Sequence, residues 1–415
     1  MNFLKYDFYF IKVPFYLTAV IPFLLITGPF LPDLALSVCC ILFLLSHFFN
    51  SKDKYFKSLF FKFFLIFWVI LVVSSLNSSD IIFSLKSSFF YLRFGIFSLS
   101  VWYLLNQNIK LINHTFYVFI FSFIILIFDG YFQFFTSRNI FGWEIIGTRV
   151  SSFFKEELIM GSYLSRLFPI AFAFYIFLKE KKYSILIFII FVLVEILIFV
   201  SGERAAFLYV NMSAFFLILL SKDFGKTRFL MFTLSIILIT ILTVFYSPKY
   251  KERIFDRTFD QITAEKKFNI FSVEHENHYK SALLMFKDYP LLGMGPKMFR
   301  KHCDKTQYKI SFESCTTHPH NTYVQLLSES GIFSFLLIFS SFLFLFYLSL
   351  KHLYLKFKYK DYLFSDFQLS LLSALIITLW PVIPTGNFFT NWLSIVYYFP
   401  VGFILYSFQK SNKKN

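Results

Sequence analysis

The stretch Thr317-His318-Pro319-His320-Asn321-Thr322-Tyr323 places two imidazoles and a carboxamide at the edge of an apolar run. Polar groups at that depth are costly and usually serve chemistry or transport. Pro319 disfavours helix at His318 and suits the first turn of a helix beginning near His320. From there Asn321, Gln325 and Ser328 recur at i, i+4 and i+7, a polar stripe that His320 would cap. A neutral imidazole with a pKa of about 6.5 can take the proton of an attacking hydroxyl at neutral pH. His320 is therefore the candidate general base, with His318 and Asn321 as candidate substrate contacts.

Arginine supplies the complementary chemistry. Arg204 opens an apolar run in Ser201-Gly202-Glu203-Arg204-Ala205-Ala206, and Arg149 precedes Ser151, Ser152 and Phe153. A planar, permanent cation suits a phosphate or diphosphate oxygen and gains strength where water is partly excluded. The bland alternative for each is an interfacial arginine reaching to lipid headgroups. Arg93, with Lys86, sits inside an apolar run and would face the bundle interior as a further binding candidate. Glu195, in mid-run, pairs with an intramembrane arginine or carries a proton. His275 with His278, or His318 with His320, could be metal ligands, but no carboxylate or thiol cluster completes either pair, so no metal site is expected. Gly293-Met294-Gly295 lacks the flanking strand and third glycine of a nucleotide fingerprint and reads as a turn.

The elements that position these residues follow from composition. Of 415 residues 57% are hydrophobic and 15% charged, which leaves too much apolar surface for a soluble globule. The chain reads as an all-α polytopic membrane protein. Its 66 Phe residues reflect compositional bias and read as lipid-facing bulk rather than an aromatic binding surface. The net charge of +16 is scattered in short clusters between apolar runs, which signals topology and not nucleic-acid binding.

Apolar runs able to cross roughly 30 Å of hydrocarbon fall near 11–31, 33–50, 60–77, 86–106, 111–131, 158–178, 183–200, 204–221, 228–247, 322–350, 365–383 and 392–409. That makes about twelve helices. The first run lacks a small-residue cleavage site and reads as a retained span. One face collects Lys5 and Lys12, then Lys52, Lys54 and Lys57, then Lys110, then Lys179, Lys181 and Lys182. On the same face follow Lys222, Lys226 and Arg228, then Lys351, Lys356, Lys358 and Lys360, and finally Lys410, Lys413 and Lys414. Both termini are therefore expected to be cytoplasmic. The other face carries Asp33, Asp80 and Glu203 instead.

Three regions result: spans one to nine over 1–247 with a short outer loop near 132–157, one large outer loop over 248–320, and spans ten to twelve with a cytoplasmic tail over 321–415. Within the large loop, His278 to Asp288 has helical spacing and ends at Pro290, which predicts an amphipathic helix on the membrane or over the bundle. No internal repeat is visible.

With these residues in view, the chain resembles the O-antigen ligase and polymerase-like bacterial membrane glycosyltransferases. The resemblance is carried by Tyr279-Lys280-Ser281-Ala282-Leu283-Leu284-Met285-Phe286-Lys287-Asp288-Tyr289-Pro290-Leu291-Leu292-Gly293-Met294-Gly295-Pro296 and, more specifically, by His318-Pro319-His320-Asn321 through Gly331. Weaker marks are Arg204-Ala205-Ala206, Arg149 upstream of Phe153, and Gly386-Asn387-Phe388.

The resemblance implies a GT-C-like helical fold in the bacterial inner membrane, with the large loop in the periplasm. It implies a sugar chain moved from undecaprenyl diphosphate to an acceptor hydroxyl, often lipid A-core, without a cofactor. His320 falls on the family's base, and Arg149 and Arg204 on its diphosphate contacts. Where members often carry arginine before the loop helix, this chain has His275, which departs from the pattern. A ligase is the first reading, a polymerase or protein O-oligosaccharyltransferase its neighbours. A lipid-linked oligosaccharide flippase is the reading from another class, though it would need neither the His-Asn motif nor the large loop. In an oxidising periplasm, Cys303 and Cys315 either form a disulfide or stay as two free thiols, whereas Cys39 and Cys40 lie in an apolar run and read as inert.

Overall fold

The computed structural model describes residues 7–178, 184–245, 252–263 and 271–411. Parts of the expected 248–320 loop, and the flanking lysines Lys5, Lys179, Lys181, Lys182, Lys413 and Lys414, lie outside these residues. The principal helices are α1 (Val13–Leu24), α2 (Phe30–Phe49), α3 (Leu59–Leu76), α4 (Ile81–Ser88), α5 (Leu92–Gln107), α6 (Leu111–Thr136) and α7 (Met160–Leu178). They continue as α8 (Ser184–Val200), α9 (Arg204–Leu220), α10 (Gly225–Phe245), α11 (Val273–Asp288), α12 (Thr322–Tyr359), α13 (Asp366–Thr378) and α14 (Asn391–Ser411). Among the described residues the extended structure amounts to isolated bridges, Arg138 with Glu144 and Ile146 with Arg149.

Side-chain caps start several helices by accepting N–H groups that have no partner within the helix. Ser58, Asp80 and Ser272 cap α3, α4 and α11, and Ser365 forms a reciprocal box with Gln368 at α13. Among the described residues, eight helical stretches are long and apolar enough to cross a membrane. The apolar helices Ser184–Val200, Arg204–Leu220 and Asp366–Thr378 are shorter, and α14 occupies the last expected run.

Phenylalanine does more than face lipid. Phe48 is 83% exposed, but Phe97, Phe116, Phe119 and Phe123 are wholly buried. Aromatic edge and stacking contacts join α3, α5 and α14, as in Phe64 against Tyr398 at 5.4 Å and Phe94 against Tyr398 at 5.9 Å. With few small residues, this bundle fills its interior with interlocked rings.

One charged residue departs from its expected place. Arg228, counted among the flanking cations, is fully buried in an ion pair with Glu195, which also accepts the Ser235 hydroxyl. Glu195 thus has an arginine partner. On the same face, Asp366 accepts the backbone N–H groups of Lys222, Asp223 and Phe224, fastening the α9–α10 turn to α13.

The feature that shapes the site is a break in α12. Gly331 has φ 75° and ψ −176° inside the helix, so the short outer half Thr322–Ser330 is offset from the long apolar remainder. The turn after α11 docks into the break: Met294 N donates to Ser328 O at 3.0 Å, Gly295 N to Glu329 O at 2.8 Å, and Ile332 N to Pro290 O at 2.9 Å. A Cβ at Gly331 would overlap the Leu291 carbonyl, and one at Gly293 the Ser330 backbone. Helix α11 begins at Val273, earlier than its spacing suggested, and lies over the bundle against α12.

Candidate functional site

The helix expected to begin near His320 begins at Thr322. Asn321 is its N-cap, accepting from Tyr323 N at 2.9 Å and Val324 N at 3.1 Å while its amide donates to Pro381 O at 2.7 Å. Both ends of that side chain are therefore engaged inside the protein. His320 precedes the cap in the left-handed region, φ 54°, an unfavourable conformation for a side-chain-bearing residue that recurs at functional sites. Its carbonyl accepts Thr385 N at 2.9 Å, which pins the turn.

Four imidazoles meet here. The ring of His320 lies 4.1 Å from His318, 5.3 Å from His278 and 5.5 Å from His275, centre to centre. His275 and His278 share a face of α11, three residues apart, and the docked turn brings that face to His320. His318 bonds through Nδ1 to the Thr317 hydroxyl at 2.9 Å and through Nε2 to Thr385 O at 3.3 Å. Since a carbonyl can only accept, Nε2 carries the proton and Nδ1 accepts from Thr317. His278 likewise donates through Nε2 to Glu313 O at 2.8 Å. Among the described residues, no three His, Cys, Asp or Glu side chains converge to hold a metal ion.

The environment holds these rings neutral. Burial, then repulsion from His318, His275 and His278, pushes His320 down to about 3. Burial chiefly drives His318 and His275 each to about 4 and lowers His278. The expected value near 6.5 for His320 is thus corrected downward, because charging one imidazole would place it among three others in a poorly solvated pocket.

His318 and His320 line a cavity of about 1520 Å³ on the loop face of the bundle. Its cationic lining is Arg149, Lys155, Arg166, Lys297 and Arg300; Glu144, Glu156 and Glu157 lie in the same wall. The loop carrying Arg149 is clasped from α6. Gln133 Oε1 accepts Ser151 N and Ser152 N at 3.0 and 2.7 Å, and Asp129 accepts Ile140 N and the Ser152 hydroxyl. Arg149 donates to Leu158 O at 2.8 Å, while its Nε is buried without a hydrogen-bond partner. Burial lowers its proton affinity and the Glu203 carboxylate opposes that effect. Glu203 in turn accepts Gly161 N and Ser162 N, so it caps α7 beside the helix start that presents Arg166. Ser152, Lys155, Leu158, Lys297 and His320 all have positive φ, which concentrates backbone strain around this one cavity.

Of the residues singled out from sequence, Arg149, His318 and His320 come together. Arg204 and Arg93 lie outside the cavity lining. Arg204 donates to Gln261 Oε1 at 2.5 Å and approaches the Thr258 hydroxyl at 3.5 Å. Arg93 pairs with Asp33 at 2.7 Å, and Asp33 also accepts from Asn391. Arg166, Lys297 and Arg300 also line the cavity, although the sequence does not single them out. Arg166 is a buried arginine in an apolar run, the same signal that drew attention to Arg93, and its guanidinium sits 4.6 Å over the Tyr209 ring. Lys297 and Arg300 carried no signal beyond lying just after a glycine turn. Cys303 and Cys315 form a disulfide with Cα atoms 4.9 Å apart, closing the segment that leads to His318.

Fold and site together define a polytopic membrane protein, helical throughout its principal described elements, with a cavity on one face whose largely apolar lining carries both cationic and carboxylate side chains. Residues 186–339 match the family model described as O-Antigen ligase, and that segment carries a domain of the O-antigen ligase-like family. The matched segment includes Arg204, all four clustered histidines, Lys297 and Arg300, whereas Arg149 and Arg166 lie upstream of it. No curated protein matches the chain.

Proposed function

We propose that this chain transfers a glycan from undecaprenyl diphosphate to an acceptor hydroxyl, with lipid A-core as the first-choice acceptor, at the periplasmic face of the bacterial inner membrane. The reading is supported above all by one observation: the His320 ring and the guanidinium and ammonium groups of Arg149, Arg166, Lys297 and Arg300 belong to one cavity. The acceptor O–H gives its proton to a His320 ring nitrogen as the oxygen attacks the anomeric carbon. The bond from that carbon to the diphosphate oxygen breaks on the opposite side, inverting the centre. The electron pair leaves with the carrier diphosphate, whose growing charge the fixed cations stabilise, so the step uses no metal. An anionic donor beside His320 would raise its proton affinity, making the imidazole a better base when substrate is bound.

In this reading Arg149 and His318 keep substrate-facing roles, and Lys297 and Arg300 supply cations at the place where His275 departs from the family pattern. Arg204, engaged by Gln261 and Thr258, holds the 257–263 helix against the mouth of α9. Arg93 braces Asp33 and Asn391 at the rim, and Asn321 fixes the turn bearing His320. The lysines and arginines at helix ends opposite the cavity support cytoplasmic termini and about twelve spans.

The glycolipid profile of a deletion strain tests the function. Loss of long chains from lipid A, with carrier-linked polymer retained and restored by the wild-type gene, is the expected result. Single repeat units capping lipid A would mean a polymerase. Unchanged lipid A with loss of glycosylated protein would mean a protein O-oligosaccharyltransferase.

A further inference from the structure

Glu329 is fully buried and stands outside the cavity lining, in the short outer half of α12. One carboxylate oxygen accepts Phe299 N at 2.9 Å and the other accepts Gln325 Nε2 at 2.8 Å. Its backbone carbonyl accepts Gly295 N at 2.8 Å and the Ser74 hydroxyl at 3.0 Å. One residue thus grips both ends of the 295–299 turn, from which Lys297 and Arg300 reach the cavity. Gln325 extends the chain: its amide also donates to Asn387 Oδ1 at 2.9 Å, and its carbonyl accepts Phe388 N at 2.9 Å. The segment so held supplies Thr385 O to His318 and Thr385 N to His320 O.

A buried carboxylate is costly unless hydrogen bonds and nearby cations compensate it. Simple packing would be served better by an apolar side chain of the same volume. Here the carboxyl group lies beside both Lys297 and Arg300, and its acceptors take up N–H groups that a turn docked into a broken helix leaves without partners. We infer that Glu329 is a positioning residue: it holds the Lys297–Arg300 turn, and through Gln325 the Thr385–Asn387 segment, so that two cations and the His320 turn face one anionic leaving group. The inference rests on the reading of the cavity as a diphosphate site.

The test is binding of inorganic diphosphate to the purified full chain in detergent, by calorimetry, with the melting temperature recorded for each variant. Glu329→Ala is expected to weaken binding about tenfold or more, the scale of losing a charged hydrogen-bond anchor. Glu329→Gln, which keeps an acceptor for Phe299 N but sets a second amide against Gln325, should fall between. In a Lys297→Ala/Arg300→Ala background, Glu329→Ala should add little, because the groups it positions are gone. A merely structural role would instead give equal losses in both backgrounds, and that result would overturn the inference. If Glu329→Ala fails to fold, Glu329→Gln is read in the same cycle. Absence of diphosphate binding in the wild type overturns the cavity reading and this inference together, whereas wild-type binding with an unchanged affinity in the Glu329 variants overturns the inference alone.

Discussion

At the scale of single residues, the account divides the histidines by what holds them. The aromatic contacts of the His320 ring are with His275, His278 and His318, so His320→Ala removes a proton acceptor from the imidazole cluster and leaves the packed rings of the bundle in place. Transfer should fall by about 100-fold or more with an unchanged melting temperature. His318 is 8% exposed and hydrogen-bonded through both nitrogens, so His318→Ala should retain more activity but melt earlier. The depressed proton affinities predict a pH signature. His320 at about 3, and His275 and His318 at about 4, lie below the ordinary value, so between about 4 and 6.5 the unfolded chain binds more protons. Stability contributed by the cluster is therefore full above about pH 6.5 and is lost as pH falls toward 4. Melting in detergent should show that slope, and His275→Gln with His278→Gln should flatten it; a flat wild-type curve would contradict the burial of these rings. Arg93→Ala should cost on the order of 1–3 kcal/mol by stranding Asp33, whose side chain is only 24% exposed. Removing Asp33 as well should recover part of that loss, a compensation that a substrate-binding arginine would not show.

At the scale of elements, the broken α12 is the device that makes a site from separate segments. Gly331→Ala would force a side chain into the Leu291 carbonyl at φ 75°, so the docked turn should be expelled. Transfer and the proteolytic resistance of the loop should fall together, and normal activity in that variant would show the break to be dispensable. The disulfide acts on the next segment along. Its partners are 12 residues apart, and opening it should cost about 3 kcal/mol in the chain-entropy model, read as a lower melting temperature in reductant. Sequence made parts of this arrangement legible. The His-Pro-His-Asn pattern announced an irregular, polar helix start, and Pro290 marked the end of α11. The convergence of His275 and His278 on His320 was not visible, because it depends on backbone hydrogen bonds between the 293–295 turn and residues 328–329, which no side-chain pattern encodes. Nor did the spacing reveal that Asn321, read as a substrate contact, and Gln325 of the same polar stripe would be consumed by internal bonds.

At the scale of the whole molecule, the lengths of the apolar runs located the helices well, since span length and apolarity answer to the bilayer and not to tertiary detail. Charge was read less securely. Arg228 looked like a topology marker and is instead buried against Glu195, while Arg166 looked like part of an apolar run and is a cation of the cavity. Flanking and interior arginines are the same residue type in similar local sequence, and only packing separates them. The central claim, that one cavity joins a histidine base to cations for a diphosphate leaving group, is tested most directly by reconstituted transfer. Purified chain in detergent would be given an undecaprenyl-diphosphate-linked glycan and lipid A-core, with wild type, His320→Ala and Lys297→Ala/Arg300→Ala compared at saturating donor. The account predicts product with wild type, a rate lower by about 100-fold or more with His320→Ala, and a strongly reduced rate with the double variant. Product formation by His320→Ala at the wild-type rate would contradict it.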